Sequence, residues 1–334
     1  MRLVQLIHRE EGRKLALVEE PNLRIISGFK SAHALASQAI NYEGDIAALI
    51  MQNLSDITLK YNPIYSGKSD WNLLPSFDHP SDPLAVMLSG TGLTHKASAE
   101  NRQKMHNAQE SSELTDSMKM YLKGVEGGRP GAGKIGAQPE WFYKGNGAVL
   151  KGHNEPLEIP SYGEDGGEEP EIAGVYINDT DGKPWRIGFT TANEFSDHIM
   201  ERRNYLYLAP SKIRNCAIGP ELVINSEFNA ISGRVAILRD NKVVWEKDIK
   251  TGEQHMAHSL ENLEYHHFKY SNHRIPGQIH IHFYGADAFS FGDQIRLQEK
   301  DIMQISWEDM GRPLINSLRN TTKAAVFEKV KVLV

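Results

Sequence analysis

Three glutamates are the residues of this sequence whose type and spacing suit them best to act together chemically. Glu169 and Glu171 flank a proline, and the apolar stretch at residues 172–177 follows them directly. Side chains of a β-strand alternate between its faces, so these two carboxylates project to the same side. Two carboxylates on one face repel each other unless a cation or a proton lies between them. The pair therefore indicates either a cation site or, because further acidic residues precede it, a solvated acidic turn.

A hairpin can return a third carboxylate to this pair. The polar turn at residues 179–184 is followed by a second strand-like stretch at residues 185–191 and then by Glu194. A hairpin of this length brings Glu194 back near Glu169 and Glu171. Three oxygen donors with room for water suit Mg²⁺ or Mn²⁺. Zinc is less favoured, because no His or Cys lies at ligand spacing nearby.

With these residues the chain resembles the fumarylacetoacetate hydrolase superfamily. The metal site of that superfamily is a Glu-x-Glu pair followed by an acidic residue in an Asn-Asp-x-Ser turn. Glu169-Pro-Glu171 matches the pair, and Asn193-Glu194-Phe-Ser196 matches the turn with Glu in place of the usual Asp. The replacement lengthens the third ligand by one methylene, so we expect the metal to be slightly displaced.

Three further blocks support the resemblance, which extends over residues 84–316. Residues 139–144 are similar to the family's strand that brings a Lys into the site. The block at residues 205–220, with its lysine before an Ile-Gly-Pro turn, looks most like the sugar-acid dehydratase branch. Residues 291–316 resemble the family's ending, Gly-Asp, then Glu-x-x-Gly, then Leu-x-Asn.

The resemblance implies chemistry on a small 2-oxo acid, whose ketone and carboxylate can chelate one metal ion. Lys212 is then the candidate base for the proton at carbon 3, which requires a pKa depressed toward neutrality by burial or by an adjacent cation. Lys144 or Arg214 is that cation, or binds the substrate carboxylate. Thr94 and Asp287 are further candidates for contact with the substrate.

His95 lies in a segment, residues 90–95, that resembles the one carrying the hydrolases' catalytic histidine. The hydrolases place a Glu three residues later, where it orients the histidine and helps it activate water. Here that position is Ser98, and the next carboxylate, Glu100, lies roughly 140° around a helix from His95. His95 is a catalytic candidate, but this departure favours a reaction that needs no hydrolytic water.

Other histidines have simpler interpretations. His198 and Arg202 are spaced by one helical turn after Glu194, and we expect them to face solvent or to pair with acidic residues. His280 and His282 share a strand face without matched carboxylates. We expect them to be packing or edge residues and assign them no metal.

The resemblance to the sugar-acid dehydratase branch, together with the departure at Ser98, implies a lyase of sugar catabolism that dehydrates a 2-keto-3-deoxy sugar acid with the help of Mg²⁺ or Mn²⁺. The expected substrate is a pentonate, such as 2-keto-3-deoxy-arabinonate, which would yield 2,5-dioxopentanoate. Two alternatives stay open: a C–C hydrolase of a 2,4-dioxo acid of the acylpyruvate type, and a sugar-acid binding protein without catalysis. The family resemblance also implies a homodimer.

Bulk composition narrows the classes of partner. Hydrophobic residues make up 40% and charged residues 24% of the 334 residues, which is typical of a globular protein. The net charge of −6 provides no basic surface for nucleic acid. Cys216 is the single cysteine, so no internal disulfide can form. We find no apolar run of about 18 residues for a membrane helix, and we expect a cytoplasmic protein.

Many short strand-like segments with few helices predict a β-rich roll or sandwich. The family resemblance implies an α+β, β-rich fold: a mixed β-sheet roll of the fumarylacetoacetate hydrolase C-terminal type. We expect a small N-terminal α+β domain at residues 1–80 and the catalytic domain at residues 81–334. An N-terminal hairpin is expected at residues 2–18, and helical spacing occurs at residues 31–52 and 97–123. The predicted later strands lie at residues 148–150, 171–178, 185–191, 234–238, 242–245, 278–283, 294–297 and 302–307.

Overall fold

The strands of the protein form two sheets, which a computed structural model describes over residues 1–42, 44–106, 114–224 and 226–333. The strands are β1 (Arg2–His8), β2 (Gly12–Glu19), β3 (Asn22–Ile26), β4 (Leu54–Lys60), β5 (Trp71–Leu73), β6 (Val86–Gly90), β7 (Phe142–Asn146), β8 (Leu150–Lys151), β9 (Leu157–Ile159), β10 (Pro170–Asn178), β11 (Pro184–Asn193), β12 (Cys216–Val223), β13 (Ile231–Arg239), β14 (Lys242–Thr251), β15 (Ile279–Phe283), β16 (Ile302–Trp307) and β17 (Leu314–Asn320). The helices are α1 (Ala32–Asn41), α2 (Ile46–Gln52), α3 (Tyr61–Tyr65), α4 (Lys96–His106), α5 (Asp116–Gly127), α6 (His198–Arg203), α7 (Leu208–Lys212) and α8 (Leu260–Phe268).

The larger sheet has 12 strands, and its main path runs β4-β3-β2-β1-β12-β11-β10-β15-β6-β7. Strands β15 and β6 run parallel, whereas β10 and β11 form an antiparallel hairpin, so the sheet is mixed. The smaller sheet has 5 strands in the order β14-β13-β16-β17-β9. The predicted β-rich α+β fold with a mixed sheet is confirmed.

The centre of the larger sheet is covered on both faces. Every residue of β10 is buried, as is every residue of β12. A strand with both faces covered has an almost continuous apolar sequence, and residues 172–177 meet this requirement. The main core packs side chains of this sheet against α1, through residues such as Leu35, Ile218 and Ile281. The open end of the β10–β11 hairpin is therefore buried, with Pro170 opposite Asn193.

The N-terminal strands belong to the same sheet as the centre of the protein. Strand β1 pairs with β12, with Leu3 opposite Leu222. The hairpin predicted at residues 2–18 is found as β1 and β2. The segment predicted to be helical at residues 31–52 contains α1 and α2. A domain boundary near residue 80 stays a prediction.

The later strands were predicted in large part, with two errors. Residues 294–297 are not a strand: Gln294 has a φ of 64°, a left-handed conformation that a strand cannot contain. Residues 147–149 form a 3₁₀ turn, and the strand there is only β8. The predicted helix at residues 97–123 is found as α4 and α5, and its part at residues 107–113 lies outside the described residues.

Strand β12 was missed because its sequence contains the dipeptide Gly219-Pro220, which ordinarily signals a turn. Gly219 has a φ of 121°, and the register between β11 and β12 shifts between Thr190 and Ala192. The strand is therefore irregular but central. No helix among the described residues is long and apolar enough to cross a membrane.

Histidines pack together on one side of β15. His267 Nε2 and His280 Nδ1 are 2.9 Å apart, and the rings of His267 and His282 have centroids 4.5 Å apart. The two nitrogens of His282 contact Ser89 Oγ at 2.8 Å and Thr91 Oγ1 at 2.7 Å. Burial lowers the pKa of both His280 and His282 to about 3, with neighbouring histidines adding to the effect. The cluster is therefore neutral at physiological pH.

We expect acid to destabilise the fold through these histidines. Because their folded pKa lies below the unfolded value of about 6.5, their contribution is complete above that pH and is lost as pH falls below it. Between pH 7 and pH 5 each such histidine costs about 1–2 kcal/mol of unfolding free energy. Urea unfolding at both pH values should show a smaller loss for His282→Gln than for the wild type. Equal losses of unfolding free energy in the two proteins would contradict the lowered pKa of His282.

Candidate metal centre and active site

The three glutamates predicted from the sequence converge. Glu169, Glu171 and Glu194 are buried, and one carboxylate oxygen of each lies within 4.8 Å of the others. The hairpin of β10 and β11 brings them together, because Glu194 N donates to Glu169 O at 3.0 Å where the strands begin and end. Trp307 Nε1, on the smaller sheet, donates to Glu171 O at 3.0 Å and fixes that backbone. The metal-site geometry expected from the sequence is thus present.

The first two glutamates each use one oxygen for contacts within the protein. Glu169 Oε1 accepts hydrogen bonds from Lys212 Nζ at 2.6 Å and from His198 Nε2 at 3.1 Å. Glu171 Oε2 accepts one from the backbone amide of Gly285 at 2.7 Å. Glu169 Oε2 and Glu171 Oε1 accept no hydrogen bond from any described residue. These two oxygens are therefore available to an added cation.

Two buried lysines compensate the charge of the third glutamate. Glu194 Oε2 lies 2.7 Å from Lys212 Nζ and 2.9 Å from Ser196 Oγ. Lys144 Nζ, from β7, lies 2.7 Å from Glu194 Oε1 and also donates to Phe195 O. Lys212 is the last residue of α7, so a helix end and a strand bring their ammonium groups to the same carboxylate. Lys144 and Lys212 are nearly inaccessible to solvent.

The electrostatics of the cluster leave one carboxylate poorly balanced. Burial, followed by the charges of Glu194 and Glu169, raises the pKa of Glu171 well above its ordinary value. Burial also raises the pKa of Glu194, against the opposing effect of Lys144 and Lys212. For Glu169 burial opposes ionisation, but Lys212 and His198 outweigh it and lower the pKa. Buried oxygen donors with excess negative charge fit a hard divalent cation.

The predicted pKa of Lys212 is wrong in direction. Burial disfavours its charge, as expected, but the carboxylates of Glu169 and Glu194 outweigh burial and raise the pKa above its ordinary value. The expected lowering of the pKa assumed burial or an adjacent cation, whereas the charged groups in contact with Lys212 Nζ are the carboxylates of Glu169 and Glu194. The Lys212 side chain also lies over the ring of Phe142, with Nζ 5.0 Å from the centroid. In this arrangement Lys212 is an ammonium.

Arg214, predicted to face the lysine or the substrate, is bound to the protein. Its guanidinium donates to Asp197 Oδ2 at 2.8 Å and to Asp165 O at 2.6 Å, and it is buried. It thereby ties the turn that follows Glu194 to the segment before Glu169. A direct contact with substrate stays a prediction for Arg214.

His95 and Thr94 lie next to the cluster and not in it. Thr94 Oγ1 donates to Tyr284 O at 2.7 Å and lies 2.9 Å from His95 Nδ1, while His95 Nε2 lies 3.2 Å from Thr251 Oγ1. Burial lowers the pKa of His95 to about 3, with a smaller contribution from His255. His95 is therefore a neutral, hydrogen-bonded histidine, and its catalytic role stays a prediction.

The carboxylates that follow His95 do not orient it. Glu100 pairs with Lys96 at 3.5 Å on the exposed side of α4, and Ser98 is buried. Among the described residues, no carboxylate hydrogen-bonds to His95. The carboxylate of Asp287 contacts the backbone of β14 and not the three glutamates: its Oδ2 accepts a hydrogen bond from Lys250 N at 3.0 Å. Its contact with substrate stays a prediction.

Two residues of the site were not assigned from the sequence. Gly285, with a φ of 95°, brings its amide to Glu171 and passes so near Thr94 that a Cβ would lie 2.1 Å from Thr94 Oγ1. Its signal in the sequence is the turn after β15, which also contains Asp287. His198 was expected to face solvent or pair with acidic residues; it is 1% exposed and pairs with Glu169.

Comparisons with known proteins give one partial sequence match and several structural matches. No protein-family model matches the chain. Among curated proteins, 2-dehydro-3-deoxy-D-arabinonate dehydratase of Saccharolobus solfataricus is 32% identical over 121 residues, which are 35% of this chain. The match spans 39% of that relative's length.

Solved structures match almost the whole chain. A structure of 2-keto-3-deoxy-D-arabinonate dehydratase complexed with magnesium and 2,5-dioxopentanoate superposes with a TM-score of 0.70 at 19% identity, covering 97% of this chain and 100% of that one. The 5-carboxymethyl-2-hydroxymuconate delta-isomerase from Mycobacterium smegmatis superposes with a TM-score of 0.57 at 16% identity, with coverages of 97% and 100%.

The chain shares its fold with these solved structures, in agreement with the resemblance to the fumarylacetoacetate hydrolase superfamily that the sequence motifs indicate. Within it, the agreement is with the sugar-acid dehydratase branch predicted from the block around Lys212. That branch supplies both the curated relative and structures with TM-scores of 0.69 to 0.71.

The charge balance of the cluster can be tested by removing one lysine. Lys144→Met leaves Glu194 buried with one cation fewer, and we expect a loss of about 3 kcal/mol in the unfolding free energy of metal-free protein. In the double variant with Glu194→Gln, the loss of unfolding free energy should be smaller by at least about 1 kcal/mol than the sum of the losses in the two single variants. Urea unfolding in chelator measures all four proteins. Additive losses would show that the two charges do not interact.

Proposed function

We propose that this protein is a metal-dependent dehydratase of a 2-keto-3-deoxy sugar acid in sugar catabolism. The proposed substrate is a pentonate such as 2-keto-3-deoxy-arabinonate, and the product is 2,5-dioxopentanoate. The observation that carries the proposal is the convergence of three buried glutamates beside the ammonium of Lys212. The sequence match to a 2-dehydro-3-deoxy-D-arabinonate dehydratase supports the substrate class.

Glu169, Glu171 and Glu194 are the proposed ligands of Mg²⁺ or Mn²⁺. Their donors are all carboxylate oxygens, and two of those oxygens receive no hydrogen bond from the described residues. The structural relative that was solved with magnesium supports the choice of metal. When bound, the cation supplies a Lewis acid that polarises the ketone and lowers the cost of an enolate at carbon 3.

Lys212 is the proposed proton-transfer residue. Elimination of the carbon 3 proton and the carbon 4 hydroxide as water leaves a double bond between these two carbons. Proton shifts then give 2,5-dioxopentanoate: carbon 5 loses one C–H proton and its hydroxyl proton, and carbons 3 and 4 each gain one proton. As a neutral amine Lys212 would take the carbon 3 proton, and as an ammonium it would give a proton to the departing hydroxide. The contacts with Glu169 and Glu194 favour the ammonium, which gives the second proton. A divalent cation bound by the same carboxylates would offset their charge and favour the neutral amine that the first transfer needs.

Other residues are proposed to bind and orient the substrate. Lys144 carries a buried positive charge at the same carboxylate cluster and is the proposed partner of the substrate carboxylate. Thr94 and Asp287 are proposed contacts for hydroxyl groups. Arg214 is proposed to reach the substrate only if it gives up part of its contact with Asp197. The resemblance further suggests a homodimer, and we propose a cytoplasmic location.

Hydrolysis is the less favoured chemistry. A hydrolase of this type needs a base for water, and the nearest equivalent here, His95, is neutral and hydrogen-bonded to two threonines. No described carboxylate orients it. These contacts support elimination over the attack of water on a carbonyl.

The proposal predicts an aldehyde product that depends on metal. Purified protein with Mg²⁺ or Mn²⁺ should convert 2-keto-3-deoxy-pentonate to a product that reacts with semicarbazide, and chelator should abolish the reaction. Glu171→Gln should lower kcat/KM on the order of 100-fold or more, together with metal binding. The matched change Glu10→Gln, in an exposed turn, should have no effect.

Three results would contradict this function. Release of pyruvate from a 2,4-dioxo acid, without aldehyde formation, would identify a hydrolase. Thermal stabilisation by the sugar acid without turnover would identify a binding protein. Full activity of Glu171→Gln would remove the metal site from the proposal.

A further inference from the structure

We infer that His198 is a positioning residue for Glu169, which holds one oxygen of this carboxylate so that the other stays available to a cation. The inference rests on the proposed function in one respect, because it takes the three glutamates to be metal ligands. It concerns a residue that makes no contact with Glu171 or Glu194 among the described contacts.

The position of His198 follows from the helix that it begins. Asp197 caps α6 by accepting a hydrogen bond from Met200 N at 2.9 Å, and His198 is the first residue after this cap. The chain reaches the cap directly from the turn that contains Glu194. The first side chain of the helix therefore points back toward the start of β10, where Nε2 lies 3.1 Å from Glu169 Oε1.

The imidazole ring has little freedom to turn. It stacks on Phe289 with centroids 4.7 Å apart and planes within 13°, and it lies 5.1 Å from the ring of Phe291. On another side the backbone passes at Gly167, where a Cβ would lie 2.4 Å from His198 Nδ1. Packing thus fixes the direction in which Nε2 points, as is common for groups that orient metal-binding carboxylates.

His198 and Lys212 contact the same oxygen of Glu169, but only His198 is confined to it. Lys212 Nζ is shared between Glu169 Oε1, Glu194 Oε2 and Ser196 Oγ. A lysine that transfers protons changes its hydrogen bonds during the reaction, whereas His198 can keep its bond to Glu169 throughout. We therefore assign to His198 the hydrogen bond that keeps Glu169 in one orientation throughout the reaction.

Only one ring nitrogen makes the proposed contact. Nδ1 of His198 is buried and has no hydrogen-bond partner among the described residues. A side chain with a single amide donor at similar reach should therefore replace the imidazole in this role. Glutamine has that reach, asparagine is one methylene shorter, and leucine fills similar space without a donor. This series separates the hydrogen bond from the packing of the ring.

The test is titration calorimetry of Mg²⁺ and Mn²⁺ into metal-free protein without substrate. We expect His198→Leu and His198→Asn to weaken metal binding about 10- to 100-fold, and His198→Gln to stay within about threefold of wild type. Arg203→Gln, an exposed residue of the same helix that pairs with Glu164, is the control and should bind as wild type does. Thermal unfolding of the metal-free variants reports any loss of packing.

The outcomes separate this inference from the proposed function. If the wild type binds neither metal, or if Glu171→Gln binds as well as wild type, the metal site itself is wrong. If the wild type binds, Glu171→Gln does not, and His198→Asn binds as wild type does, the positioning role is overturned. Equal weakening by Asn and Gln would also overturn it, because the ring would then act by packing alone. If the Leu variant does not fold, the Gln and Asn pair decides.

Discussion

The burial of three carboxylates in one place is the constraint on which the rest of this structure depends. Charged groups that leave water must be compensated, and here the compensation comes from ammonium groups, a histidine and a backbone amide. Each donor comes from a different element, so the strands, helices and turns around the site have to meet within hydrogen-bond distance. The fold is the arrangement that satisfies this requirement.

Several elements from both sheets supply the residues that meet this constraint. The hairpin of β10 and β11 brings the glutamates together at its open end, which is buried in the larger sheet. Helix α7 ends at Lys212 and strand β7 contains Lys144. The two positive charges therefore come from elements that are not part of the hairpin. The smaller sheet contributes Trp307, which holds the backbone at Glu171. Both sheets therefore contribute to the geometry of one site.

Much of the site was predictable from sequence because it is local. A two-residue period within one hairpin is sufficient to bring Glu169, Glu171 and Glu194 together. The motif around Lys212 placed that residue correctly beside them. The sign of its pKa shift was not predictable, because it depends on which charges surround it in space and not on burial alone.

The residues that were missed depend on contacts far apart in the chain. Gly285 meets Glu171 across 114 positions, and no short motif reveals such a meeting. His198 has an ordinary helical spacing, and its burial follows from Phe289 and Phe291, which come much later in the chain. Strand β12 was hidden by its Gly-Pro pair, and the strand expected at residues 294–297 has apolar residues but a left-handed backbone at Gln294.

The pairing of β1 with β12 has a consequence for biosynthesis. A chain made from its N-terminus releases β1 from the ribosome long before Leu222, the partner of Leu3, has been added. Until then, this end of β1 has an open edge that can pair with other chains. The larger sheet therefore closes late, through contacts of large sequence separation, and we expect slow folding for a protein of this topology.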